Sequence, residues 1–186
     1  MKLPIYVYGH PVLREETVEV EKDHEGLKEL IADMFETMDA SDGVGLAAPQ
    51  IGKNLRLIVI DSDVLGDDFP ECKGRRLTLI NPEMDILDGE KVTRTEGCLS
   101  VPGLSENVTR VEHILLNWLD ENFVEHEEEM TGFLSRIVQH EMDHLEGTLY
   151  TDRISPLRKQ MIRKKLSNIS EGKAECSYPT KSAPKK

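Results

Sequence analysis

The residues with the most chemical potential in this chain are His140, Glu141 and His144, spaced as His-Glu-x-x-His. On an α-helix, residues four apart lie on one face. Both imidazoles then reach a single ion, with Glu141 beside them to take a proton from water and pass it to a leaving group. A catalytic metal commonly takes three protein ligands and keeps one position open. Metalloproteases with this motif draw the third ligand from downstream. Here the chain runs instead through Gly147, Tyr150, Asp152 and Pro156. His126 and Glu127 lie upstream in an acidic stretch expected to be exposed. Cys98 is the better third ligand. It ends a predicted strand in Glu96-Gly97-Cys98-Leu99-Ser100, and Gly97 permits close approach of the backbone to another group. The ordinary fate of a lone cysteine is a small buried hydrophobe. Burial or simple exposure is the expectation for Cys72 and Cys176. The set reads as a metal-dependent amide hydrolase.

These residues need elements to hold them. Phe133, Leu134, Ile137, Val138, Met142 and Leu145 populate more than one face of a helix predicted over 131–146, which belongs inside a core. Gly147 fits as its C-terminal cap. Two histidines and a glutamate buried there require partners. An earlier stripe, Leu27, Leu30, Ile31, Met34 and Met38, predicts a helix that starts near Asp23 or His24 and ends before Asp42-Gly43. Residues 43–52 read as a tight loop, 55–61 as a buried strand and 62–76 as a surface loop. Strands are expected over 77–80 and 83–95 around a turn, then one long strand over 108–119 paired with 124–130. Ser155-Pro156 opens a third, basic helix with Ser155 as its cap. The fold class is therefore α+β: antiparallel sheets around a central metal-binding helix, with an N-terminal and a C-terminal helix. Residues 1–170 form a single catalytic domain, and 171–186 are expected to be a polar, disordered tail.

Composition bounds the setting. With 38% hydrophobic and 31% charged residues among 186, the chain has the makings of one soluble domain. No run approaches the roughly 18 apolar residues of a membrane span, and no signal-peptide pattern follows the first residues. Three widely spaced cysteines do not make a disulfide framework, so a reducing cytoplasm is expected. The net charge of -12 is uneven. From Arg158 onward there are nine Lys/Arg against two Asp/Glu, so that end is strongly basic and the rest strongly acidic. A basic end can meet a polyanion, and a merely solvated tail is the default expectation.

Three segments together resemble the peptide deformylase family: Gly43-Val44-Gly45-Leu46-Ala47-Ala48-Pro49-Gln50, Glu96-Gly97-Cys98-Leu99-Ser100, and Gln139-His140-Glu141-Met142-Asp143-His144-Leu145. Their order and spacing match, over about residues 3 to 165, and the form resembles the bacterial type I branch. The resemblance implies removal of the formyl group from the N-terminal formylmethionine of nascent polypeptides. It implies Cys98, His140 and His144 as ligands of one divalent ion, typically Fe2+, which Zn2+, Ni2+ or Co2+ can replace; the donors alone suggest zinc. Glu141 moves the protons, while the backbone N–H of Leu99 and the side-chain amide of Gln50 meet the oxyanion. Val44, Gly45, Glu96, Gly97, Phe133 and Ile137 border the substrate. Some family members dock on the ribosome through a C-terminal helix, which the basic segment here permits.

Two arginines depart from an apolar pocket. Arg136 precedes His140 by one turn, and Arg94 precedes Glu96 by two residues. Both are expected to run to solvent at the rim; the alternative is that one narrows the pocket or meets a polar group of substrate. Residues 103–107 lack the arginine that many relatives carry, so a side-chain contact to a peptide carboxylate is not expected from this segment. Two other readings stand beside this one: a zinc metalloprotease with a different third ligand, and a non-catalytic protein with a closed structural metal site. The oligomeric state is open.

Overall fold

A computed structural model describes residues 1–185 of the protein. Its centre is a five-stranded sheet in the order β2 (Gly45–Ala47), β3 (Leu57–Asp61), β4 (Arg76–Ile86), β7 (His113–Leu119), β8 (Glu125–Thr131). Every neighbouring pair in it is antiparallel. The apolar run of β3 is explained by burial on both faces. Ile58 and Ile60 pack towards helix α2 (Gly132–Leu145), while Leu57 and Val59 pack towards helix α1 (Leu27–Ala40). Of the predicted stripe of α1, Leu27, Ile31, Met34 and Met38 are buried on the face that covers the sheet, and Leu30 packs beside them half-buried. On the opposite face α2 sits among sheet residues with Leu134, Ile137, Val138, Met142 and Leu145 buried.

The structure redraws several predicted elements. The loop expected at 43–52 contains β2 as an edge strand, followed by a single 3-10 turn over Ala48–Ile51. The turn expected near Asn81-Pro82 is a bulge inside one strand: Asn81 takes φ +49° and the register with β7 shifts there. The real break comes at 87–90, before β5 (Lys91–Gly97). The long strand expected at 108–119 divides at Glu112 into β6 (Ser105–Val111) and β7. β6 pairs with β5 in a separate ribbon. Alternation cannot show that break, because its cause is long-range: the buried Glu112 side chain reaches two arginines.

The basic helix is also divided, into α3 (Pro156–Met161), capped by Ser155 Oγ, and α4 (Arg163–Ser170). Ile162, Leu166 and Ile169 pack on Val7, Val101, Val108 and Tyr150. The tail expected to be disordered from 171 is instead placed against the body. β9 (Thr180–Lys181) pairs in parallel with β1 (Ile5–Tyr6). Its composition is polar because it pairs through backbone bonds rather than an apolar face. No helix among the described residues is long and apolar enough to cross a membrane.

Candidate active site

Helix α2 starts where Gly132 takes φ +64°, at a point where a Cβ would collide with Glu71 Oε1. Thr131 at the cap position makes no side-chain bond; Phe133 N–H donates to Glu71 Oε1 at 2.7 Å instead. A carboxylate from the 62–76 loop thus caps the helix that carries both histidines and faces its positive end. That cap is long-range in sequence, so no local pattern announces it. From this start His140 and His144 fall one turn apart on the face turned to Cys98.

One ligand atom each from Cys98, His140 and His144 lies within 4.8 Å of the other two. Cys98 Sγ is 3.3 Å from His144 Nε2. His140 is held by its other nitrogen, with Nδ1 2.9 Å from Glu96 Oε1, which leaves Nε2 for the centre of the cluster. Burial pushes the His144 pKa far down and keeps that ring neutral, as a ligand must be. Burial also acts to lower His140, but Cys98 and Glu96 outweigh it and raise its pKa. Among the described residues, Glu141 Oε2 and His144 Nδ1 are buried without a hydrogen-bond partner. An orphaned carboxylate oxygen beside three convergent soft and borderline donors suits a divalent ion with a water beside it.

Glu141 is almost fully buried, and that burial raises its pKa to about 7, against the opposing pull of His140. Gly45 explains its placement. A Cβ at position 45 would lie 2.7 Å from Glu141 Oε1 and 2.9 Å from its Cγ, so only glycine lets the edge strand lie against this carboxylate. Gln50 is buried at 1% exposure, and Ala47 N–H donates to its Oε1 at 2.9 Å. With the oxygen fixed, Nε2 must face the site, 3.2 Å from Ser100 Oγ and 3.5 Å from Cys98 Sγ.

A cleft of about 420 Å³ opens beside the cluster. Every residue expected to border the substrate or the oxyanion lines it: Val44, Gly45 and Gln50 from one side, Glu96, Gly97 and Leu99 from another, Phe133 and Ile137 from α2. Cys98, His140 and Glu141 line it as well. Gly103 and Leu104 bring no charge to their end. Among the lining residues that escaped sequence reasoning, two come from segments expected to lie away from the site. Leu65 comes from the supposed surface loop, and Tyr178 from the supposed disordered tail. Neither has a local signal, since both reach the cleft by long-range packing.

Arg136 overturns an expectation. It does not run to solvent: its side chain is 1% exposed. Its guanidinium donates to Glu96 at 2.6 Å, to Glu112 at 2.7 Å, and to the carbonyls of Val92 and Val108. Arg110 grips the same Glu96 through two nitrogens at 2.7 and 3.0 Å, and reaches Asp143. Burial acts to raise the Glu96 pKa, but bonds from His140 and Arg110 win and hold it well below the ordinary carboxylate range. Arg94 is half-buried at the rim. It makes a paired contact with Glu112, and its guanidinium carbon lies 5.4 and 5.9 Å from the stacked rings of Phe69 and Phe133. His126 is exposed and stacks on Trp118, far from any role as a ligand. Cys72 is a buried free thiol in the core, and Cys176 is half-buried.

Residues 2–160 match the family model described as polypeptide deformylase. The chain belongs to that family. It is 46% identical to a peptide deformylase of Flavobacterium psychrophilum over the full length of both. Among solved structures it resembles a peptide deformylase from Legionella pneumophila, at 39% identity and TM-score 0.80, covering 94% of this chain and 99% of that one. One from Thermotoga maritima gives 40% identity and TM-score 0.75 over 84% of this chain and 99% of the other. Membership makes the chain a metal-dependent hydrolase of the N-formyl group.

Proposed function

We propose that the chain deformylates the N-terminal formylmethionine of newly made polypeptides in the cytoplasm, with Cys98, His140 and His144 holding one divalent ion. The observation that carries the proposal is the convergence of those three donors on a cleft where the orphaned Glu141 carboxylate and the Gln50 amide also point. When bound, the ion supplies Lewis acidity that makes water a competent nucleophile near neutral pH. Glu141 accepts one proton from the attacking water and delivers it to the departing amine, so formate and a free N-terminus leave together. Its low-dielectric position favours this exchange, because a carboxyl whose pKa lies near 7 both takes and gives a proton readily. Gln50 Nε2 and the backbone N–H of Leu99 donate to the developing oxyanion, each such donor worth about 3 kcal/mol of barrier. Val44, Phe133 and Ile137 receive the methionine side chain, while Gly45, Glu96 and Gly97 border the substrate backbone.

Ferrous iron is the proposed ion, on the strength of family resemblance; the same donors accept zinc, nickel or cobalt. Anaerobic metal analysis of freshly purified protein identifies it. Function is tested by formate release from formyl-Met-Ala-Ser, with the unformylated peptide as control. Formate without internal cleavage is the expected result. Cleavage of the unformylated peptide would instead establish the metalloprotease reading, and metal binding without turnover would establish a structural site. The basic helices α3 and α4 are proposed as a ribosome contact, motivated by their exposed Arg163, Lys164 and Lys165.

A further inference from the structure

The turn that follows Cys98 is held from three sides. The Cys98 carbonyl accepts from Val101 N–H at 2.9 Å, closing a four-residue turn with Leu99 in second place. The amide of that residue takes no part in the turn's own bond, so it is available to a ligand. The Ser100 carbonyl accepts from Tyr8 N–H at 2.8 Å. The Leu99 carbonyl between them accepts from the Tyr178 hydroxyl at 2.7 Å. Two of these bonds are backbone to backbone. The third comes from a side chain on the C-terminal segment, well past the stretch that the family model matches.

That segment is itself fixed. Ile5 N–H donates to the Pro179 carbonyl at 2.9 Å and Val7 N–H to the Lys181 carbonyl at 3.1 Å, which secures β9 beside β1 immediately after Tyr178. β1 leads directly to Tyr8, so one strand pair carries two of the three restraints. The Tyr178 ring packs against the core around α1 and lines the cleft together with Leu99, Asp42 and Gly43. Burial raises the phenol's pKa, and the hydroxyl therefore stays a neutral donor across the physiological range.

We infer that Tyr178 is a positioning residue for deformylation: its hydroxyl fixes the Leu99–Ser100 peptide and so keeps the Leu99 N–H of the preceding peptide aimed at the formyl oxygen. The inference rests on Leu99 N–H as an oxyanion donor. It makes the C-terminal segment part of the catalytic apparatus rather than an appendage.

Tyr178→Phe keeps the ring and removes only the hydroxyl. In the full-length, metal-loaded protein it should lower kcat on formyl-Met-Ala-Ser by about 3- to 10-fold with KM unchanged, the effect of one lost restraint on a transition-state contact. Hydrogen exchange gives a second readout. The amides of residues 98–101 should exchange about 3-fold faster or more, and those of α2 should not change. An active parent with a Phe variant of equal kcat overturns the inference alone. So does a loss of kcat matched by loss of metal or by faster exchange throughout α2, since that is general loosening. A parent that releases no formate overturns the functional reading and this inference with it.

Discussion

At the residue scale the site depends on two separable tasks, holding an ion and moving a proton. Cys98, His140 and His144 cluster with the Glu141 carboxylate close by but bonded to none of them. Cys98→Ser replaces a soft thiolate by a hydroxyl, and metal content should fall. Glu141→Ala should retain metal and lose about 100-fold or more in kcat. Gly45→Ala offers a stricter test of geometry, since the new methyl group would lie 2.7 Å from Glu141 Oε1. The carboxylate must move, so kcat should drop while metal content stays near that of the parent, with a melting temperature a little lower from the overpacking. Gly45→Ala with full activity would show that Glu141 does not need its present position. The His-Glu-x-x-His pair was legible because helical spacing alone puts both rings on one face. Cys98 was legible only through its neighbours, and the placement of Gly45 against Glu141 not at all, because it joins an edge strand to a helix almost a hundred residues later.

At the element scale, the ribbon of β5 and β6 is fastened to α2 by buried charge. Arg136 on the helix joins Glu96 at the end of β5 to Glu112 at the junction of β6 and β7. A basic residue at helical spacing from His140 reads as a rim residue when only the sequence is available. The residues that draw it inward lie 24 and 40 positions away. The same distance hides the break at Glu112 from the local sequence pattern. Replacing Arg136 by Met keeps the length and removes the charge, which leaves Glu96 to Arg110 and Glu112 to Arg94. A loss of about 1.5 to 3 kcal/mol is expected near pH 7, read from urea unfolding. The sign of its pH dependence follows from Glu112. Burial acts to raise its pKa, but Arg94 and Arg136 hold it below the ordinary 4.5. In the parent that stabilisation is fully present above pH 4.5 and is lost as pH falls through the depressed value. The variant keeps Arg94 and loses the share that Arg136 supplies, so the gap between parent and variant should narrow as the pH falls below 4.5. A gap independent of pH would mean that the arginine acts by packing alone.

At the scale of the whole molecule, the strongly acidic body carries a basic C-terminal end, and the structure shows which of those charges are exposed. Arg158, Lys159 and Lys173 are engaged with Glu106, Asp152 and Glu171. Arg163, Lys164 and Lys165 stand exposed on α4, near the exposed Leu157 and Met161 of α3. Deleting this end is a poor test of ribosome binding. It would remove Ile162, Leu166 and Ile169 from the core and detach Tyr178 from Leu99. Reversing three charges leaves those contacts intact, since surface substitutions of this kind seldom cost more than about 0.5 kcal/mol. Arg163→Glu, Lys164→Glu and Lys165→Glu together should therefore leave formate release from a short peptide unchanged. If α4 meets ribosomal RNA, co-sedimentation with ribosomes should fall steeply in low salt, and the dependence of binding on salt should become shallower as phosphate contacts are lost. Equal co-sedimentation of parent and variant at every salt concentration would leave α4 as a structural brace whose outward charges serve solvation.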